Sequence, residues 1–222
     1  MTHPIDRHIR RLSTPRAAAF AGVLFALLFG AVLVMIRTAM PADAELGEQW
    51  VAGSDDRLRV AVVLMPFAGI AFLWFIGVIR DVLGPLEDKF FSTVFIGSGL
   101  LFLAMIYAST AVGAGLLASK EFLSADGTRT EVAAFGQGLL VSLSNTYALK
   151  MAAVFMMSLA TIWLRTRLMP VWLVVLTYLV ALSVLVASDI NLWMTVAFPA
   201  WVLVVSLVIL ARSGVIDVRG DP

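Results

Sequence analysis

Long apolar runs alternate with short polar breaks along this chain, and the runs have the lengths of membrane-crossing helices. Six are predicted, at about 17–36, 60–79, 93–118, 129–163, 171–187 and 192–211, flanked by polar tails at 1–16 and 212–222. About 20 apolar residues are needed to cross roughly 30 Å of hydrocarbon at about 1.5 Å per residue. The fold class expected is therefore all-α: a polytopic membrane protein forming a single bundle of six transmembrane helices.

The breaks carry turn and capping chemistry. Thr14 reads as an N-cap with Pro15 at the first helical position, where its missing N–H costs nothing. Ser54, Asp55 and Asp56 suit the start of the second helix, and Gly84-Pro85 marks the turn after it. Thr128 with Glu131 matches a capping box, so the fourth helix is expected to begin near Arg129. From there to Trp163 it is longer than a bilayer requires, so it must tilt or project. Pro66 and Pro199 each free one helix carbonyl, those of Val62 and Thr195. The segment from Arg37 to Arg59 is assigned to a polar loop rich in acids.

The third run holds Gly97, Ser98, Gly99, Gly113, Ala114 and Gly115, which permit close helix contacts. Ala42 and Ala44 form an A-x-A pattern after the first run, as a cleaved signal peptide would. Signal cores span only about 7–15 residues, so a retained helix is expected. The N-terminal tail, with Arg7, Arg10, Arg11 and Arg16 among Ile5, Ile9 and Leu12, reads as a solvated positive tail or as a short helix on the membrane surface.

Composition strengthens the membrane reading. The 222 residues are 61% hydrophobic and 14% charged, with a mean hydropathy of +0.96. With 16 Lys+Arg against 15 Asp+Glu, no global charge points to nucleic acid. There is no cysteine, which removes disulfides, thiolate nucleophiles and Cys-ligated metals. The two histidines, His3 and His8, lie in the tail, so no cofactor or metal is expected in the bundle.

Charge distribution sets the orientation. If the N-terminus is inside, Arg7, Arg10, Arg11, Arg16, Arg80, Lys89, Arg165, Arg167, Arg212 and Arg219 are also inside. Only Arg37, Arg57, Arg59, Lys120 and Arg129 fall outside, so both termini should be cytoplasmic. Trp163 and Trp172 are expected to mark the inner interface and Trp193 the outer.

Lys150 is the only charge well inside an apolar run, and a charge there is a functional hypothesis by default. Taking Trp163 as the inner boundary places it in the outer third of the membrane, where its ammonium can also snorkel outward. Gln137, Asn145 and Tyr147 precede it, and Asp189 lies in the outer hairpin, able either to pair with Lys150 or to cap the last helix. These five form the candidate polar site, suited to an anionic group, a lipid headgroup or a partner helix. Ser142, Ser144 and Ser158 are weak candidates for a Ser/Lys nucleophile, because none sits in a nucleophile elbow. No acid falls in the middle of a run, which argues against carboxylate-coupled pumping.

The run FLWFIGVIRDVLG (Phe72–Gly84) followed by EDKFFSTVFIGSGLLF (Glu87–Phe102) resembles uncharacterised small polytopic membrane proteins of actinobacteria. The resemblance implies a bacterial cytoplasmic membrane and carries over no activity. The function expected is a non-enzymatic accessory or scaffold component in contact with the lipid bilayer, as a homo-oligomer or within a larger membrane complex. The alternative is a small transporter or channel with an outward-facing polar site around Lys150.

Overall fold

The computed structural model describes residues 5–39, 55–83, 89–122, 126–188 and 192–212. Every element among them is helical: α1 (Ile5–Ala39), α2 (Asp55–Leu83), α3 (Lys89–Phe122), α4 (Asp126–Val141), a π-helical segment (Ser142–Ala148), α5 (Leu149–Thr166), α6 (Val171–Ala187), a 3-10 turn (Leu192–Val196) and α7 (Ala197–Arg212). Five stretches are long and apolar enough to cross a membrane: Ala17–Thr38, Asp56–Asp81, Phe90–Ser119, Glu131–Thr166 and Met194–Arg212. The fourth of these joins α4, the π segment and α5 in one continuous helix. The shorter α6 is also apolar.

The helices overrun the apolar stretches at most ends. α1 is 35 residues long, about 52 Å at 1.5 Å each, and runs straight through Thr14 and Pro15. A helix start at Pro15 is thus not observed. Proline has no N–H to donate, so a helix that continues through it gives up one backbone hydrogen bond. α1 also continues past Ile36 to Ala39, which takes Arg37 out of the expected loop and into the last helical turn. α2 is likewise unbroken through Pro66.

Helix pairing follows small residues. α1 packs most extensively on α2 and then on α7, while α3 packs on α5 and α5 on α6. On α2 the buried positions Ala61, Met65, Ala68, Phe72, Phe75 and Ile79 recur every three or four residues, and Val63, Phe67, Ile70 and Trp74 form the opposite, exposed stripe. Both stripes are apolar, as expected when the solvent of the outer face is lipid. At Gly22 of α1 an added Cβ would lie 2.0 Å from Ser206 Oγ and 2.8 Å from Phe75 Cδ2, so the α1–α2–α7 junction closes only on glycine. Of the small residues expected to pack on α3, Gly99 meets Ile76 and Phe155, whereas Gly97 and Gly115 face open space.

The axis of the bundle is filled with aromatic rings. Phe72 of α2 lies 4.7 Å from Phe25, 5.4 Å from both Phe102 and Phe155, and 5.8 Å from Phe198, centroid to centroid. Those partners come from α1, α3, α5 and α7, so one ring touches all the other long helices. Phe198 repeats the pattern and stacks on Trp201 at 6.0 Å. Trp201 donates its indole N–H to Thr177 Oγ1 at 2.9 Å, which ties α7 to α6 inside the apolar core.

At the opposite end from residue 39, α5 stops at Arg167, whose φ of 54° is the left-handed conformation that terminates helices. Arg212 donates to the carbonyl of Leu168 at 2.7 Å, and Arg165 sits 4.6 Å over the ring of Phe91. Trp163, expected as an interface marker, is instead 2% exposed and packed against Trp201. Trp172 is exposed, as an interface residue would be, and the side chain of Trp193 lies outside the described residues.

Candidate functional site

Three elements meet at the residue-39 end of the bundle: the last turn of α1, the π segment and the 3-10 turn. The π segment reads Ser-Leu-Ser-Asn-Thr-Tyr-Ala, and Ser, Asn and Thr are weak helix formers because their side chains compete for backbone groups. A π turn widens the helix and re-aims its side chains, and such bulges occur often at functional sites. A neighbouring helix supports the entry to this one: Ser109 of α3 donates to the carbonyl of Leu140 at 2.9 Å in a buried contact. Ser144 Oγ donates to the carbonyl of Val141 at 3.3 Å.

Into this joint projects Arg37. Its Nη2 donates to Asn145 Oδ1 at 2.5 Å, a side-chain contact between residues 108 apart in sequence. Arg37 is 7% exposed and Asn145 is 3% exposed. The Nε–H of Arg37 has no hydrogen-bond partner among the described residues. The 3-10 turn, packed on both α1 and the π segment, carries buried Thr195.

The energetics of this node do not balance from the described residues alone. Taking a guanidinium out of water costs several kcal/mol. A hydrogen bond to a charged group returns about 1.5–3 kcal/mol, and placement in the last turn of a helix about 0.3–1 kcal/mol. Among the described residues no carboxylate pairs with Arg37, so a neutral amide and a helix end are its whole compensation there.

The five residues named from sequence are placed as follows by the described part of the structure. Asn145 is in the node, but its partner is Arg37 from α1. Tyr147, two positions on, is 57% exposed and belongs to the outer surface of the helix. Gln137 and Lys150 are half-buried, Gln137 lying two turns before Asn145; Lys150 has an interaction partner of its own. Asp189 lies outside the described residues. Ser158 Oγ donates to the carbonyl of Val154 at 2.8 Å, the usual bond of a serine within a membrane helix. The residue missed from sequence is Arg37, because it stands at the edge of an apolar run beside acids. The available signal was the cluster of weak helix formers from Ser142 to Thr146 in the middle of a membrane helix.

Elsewhere, among the described residues, the surface carries apolar grooves. A cleft of about 310 Å³ between α2 and α3 is lined by Val62, Met65, Pro66, Ile70, Tyr107 and Thr110, with Tyr107 donating to the carbonyl of Pro66 at 3.3 Å. A second, of about 370 Å³, lies between α1 and α2 around Leu28, Leu64, Phe67 and Trp74. Both are open, hydrocarbon-lined and free of acids. Among the described residues no three His, Cys, Asp or Glu side chains are grouped as metal ligands. Comparison with protein-family models, with curated proteins and with solved structures gave no match for this chain.

Proposed function

We propose that this protein is a non-enzymatic accessory or scaffold component of a bacterial cytoplasmic membrane, with six crossings and both termini cytoplasmic. The observation that carries the role is the filled bundle axis: Phe25, Phe72, Phe102, Phe155 and Phe198 pack ring on ring where a transported solute would pass. Six crossings follow if α6 spans. Its 17 residues give about 25 Å, its exposed face is Val171, Trp172, Val175, Leu179, Leu182 and Val186, and lipid suits that face. An even number of crossings agrees with the bias of Lys and Arg toward the two termini.

Extraction in mild detergent at native expression level, followed by sizing and mass spectrometry, tests the role. A defined partner in fixed ratio is the expected result, and a stand-alone monodisperse protein contradicts it. A small outward-facing transporter is the second reading, favoured by the π segment and the buried Arg37–Asn145 contact. Solute flux into liposomes that is abolished by Arg37→Gln would select that reading over the first.

A further inference from the structure

We infer that the Arg37–Asn145 node is an anion site, binding one phosphate or carboxylate group at the outer end of the bundle. Arg37 is more than nine-tenths buried, Asn145 holds one hydrogen of its Nη2, and its Nε–H is unmet among the described residues. Nε–H and Nη2 lie on the same edge of a guanidinium, and that edge matches the two oxygens of a carboxylate or phosphate in a bidentate fork. The carbonyl oxygen of Asn145 holds the guanidinium in place by accepting from Nη2.

Among the described residues, Ser144 and Thr195 of the elements that meet here are neutral, as is the Asn145 amide, and a cation beside Arg37 is electrostatically disfavoured. The apolar α1 stretch ends at Thr38, one residue beyond Arg37, and lipid phosphates begin where the apolar stretch of a membrane helix ends. The same chemistry is offered by a lipid headgroup and by a free small anion, and the two differ in how they arrive. The site is independent of whether the protein has a protein partner, so it stands or falls apart from the proposed scaffold role.

The test uses the full-length protein in nanodiscs, with thermal unfolding and lipid retention as readouts. Three conditions are compared: phosphatidylcholine alone, phosphatidylcholine with added phosphatidylglycerol, and phosphatidylcholine with millimolar inorganic phosphate. A headgroup ligand raises the unfolding temperature only with phosphatidylglycerol; a free anion raises it with inorganic phosphate as well. In either case Arg37→Gln should weaken the apparent affinity at least about tenfold, the scale of one lost charge-assisted bond, and Arg37→Lys should weaken it less. If the wild-type protein responds to neither anion, the charge is met from within the chain and the proposal is overturned; that arm needs no variant to fold. Equal responses in Arg37→Gln and wild type would overturn it too, since the anion would then bind elsewhere.

Discussion

Replacing Phe72 by alanine tests where the core of this bundle lies. The ring is fully buried and contacts Phe25, Phe75, Phe102, Phe155 and Phe198 at centroid distances from 4.7 to 6.4 Å. In a soluble protein the loss combines a transfer term and a cavity term. Helices that separate within a bilayer stay in an apolar solvent, so the transfer term nearly vanishes and the cavity term remains. A phenyl group leaves a void on the order of 100 Å³, which at about 24 cal/mol per Å³ costs about 2.4 kcal/mol. Lost ring–ring interactions, about 0.5–1.5 kcal/mol for each well-placed pair but not additive, raise the expected total to about 3–4 kcal/mol. The control is Phe67→Ala, five residues earlier on the exposed stripe of α2. It leaves no void because lipid fills the space, and should stay within about 0.5 kcal/mol of wild type. Equilibrium unfolding in mixed detergent micelles, followed by tryptophan fluorescence, measures both. Equal losses in the two variants would refute the assignment of inner and outer faces.

Two further outcomes follow from packing and from charge. Gly22→Ala places a Cβ against Ser206 Oγ and the buried ring of Phe75, and should destabilise by about 1–3 kcal/mol in the same unfolding assay. Gly30→Ala on the same helix meets nothing within 4 Å and should be neutral or slightly stabilising; a reversed order would contradict the α1–α2–α7 packing. Because the chain has no cysteine, single cysteines report topology without background. Gly47→Cys should react with a membrane-impermeant maleimide in intact cells, and Thr2→Cys and Gly220→Cys only after permeabilisation. Labelling of Gly220→Cys in intact cells would mean that α6 does not cross.

The all-helical architecture is legible because length and hydropathy alone specify it: α1, α2 and α3 each contain one of the expected apolar runs, and α6 coincides with another. Element boundaries are less legible, because a helix can run on past its apolar stretch without a change of backbone conformation, as α1 does before Ala17. Which face turns inward was not legible at all. Phe67 and Phe72 are both phenylalanines on one apolar helix, and lipid removes the polar stripe that would mark the outside of a soluble helix. Trp163 is likewise turned inward onto Trp201, since tryptophan suits both an interface and a core that offers ring partners. Asn145 was named from its position in a membrane helix, but the charge it serves is Arg37, which lies 108 residues away and was discounted as a loop residue. Lys150 drew attention by lying deeper in its run, yet depth along a helix says nothing about which side chains another helix brings.

The contact between Arg37 and Asn145 is the point on which this account rests, and a double-mutant cycle measures it directly. Asn145→Leu alone leaves a buried guanidinium without its amide and should cost about 3–5 kcal/mol, while Arg37→Met with Asn145→Leu should recover much of that loss. A coupling energy of about 1.5–3 kcal/mol is expected between the two positions, measured by equilibrium unfolding in micelles. A coupling indistinguishable from zero would mean that α1 does not dock on the π segment through this pair.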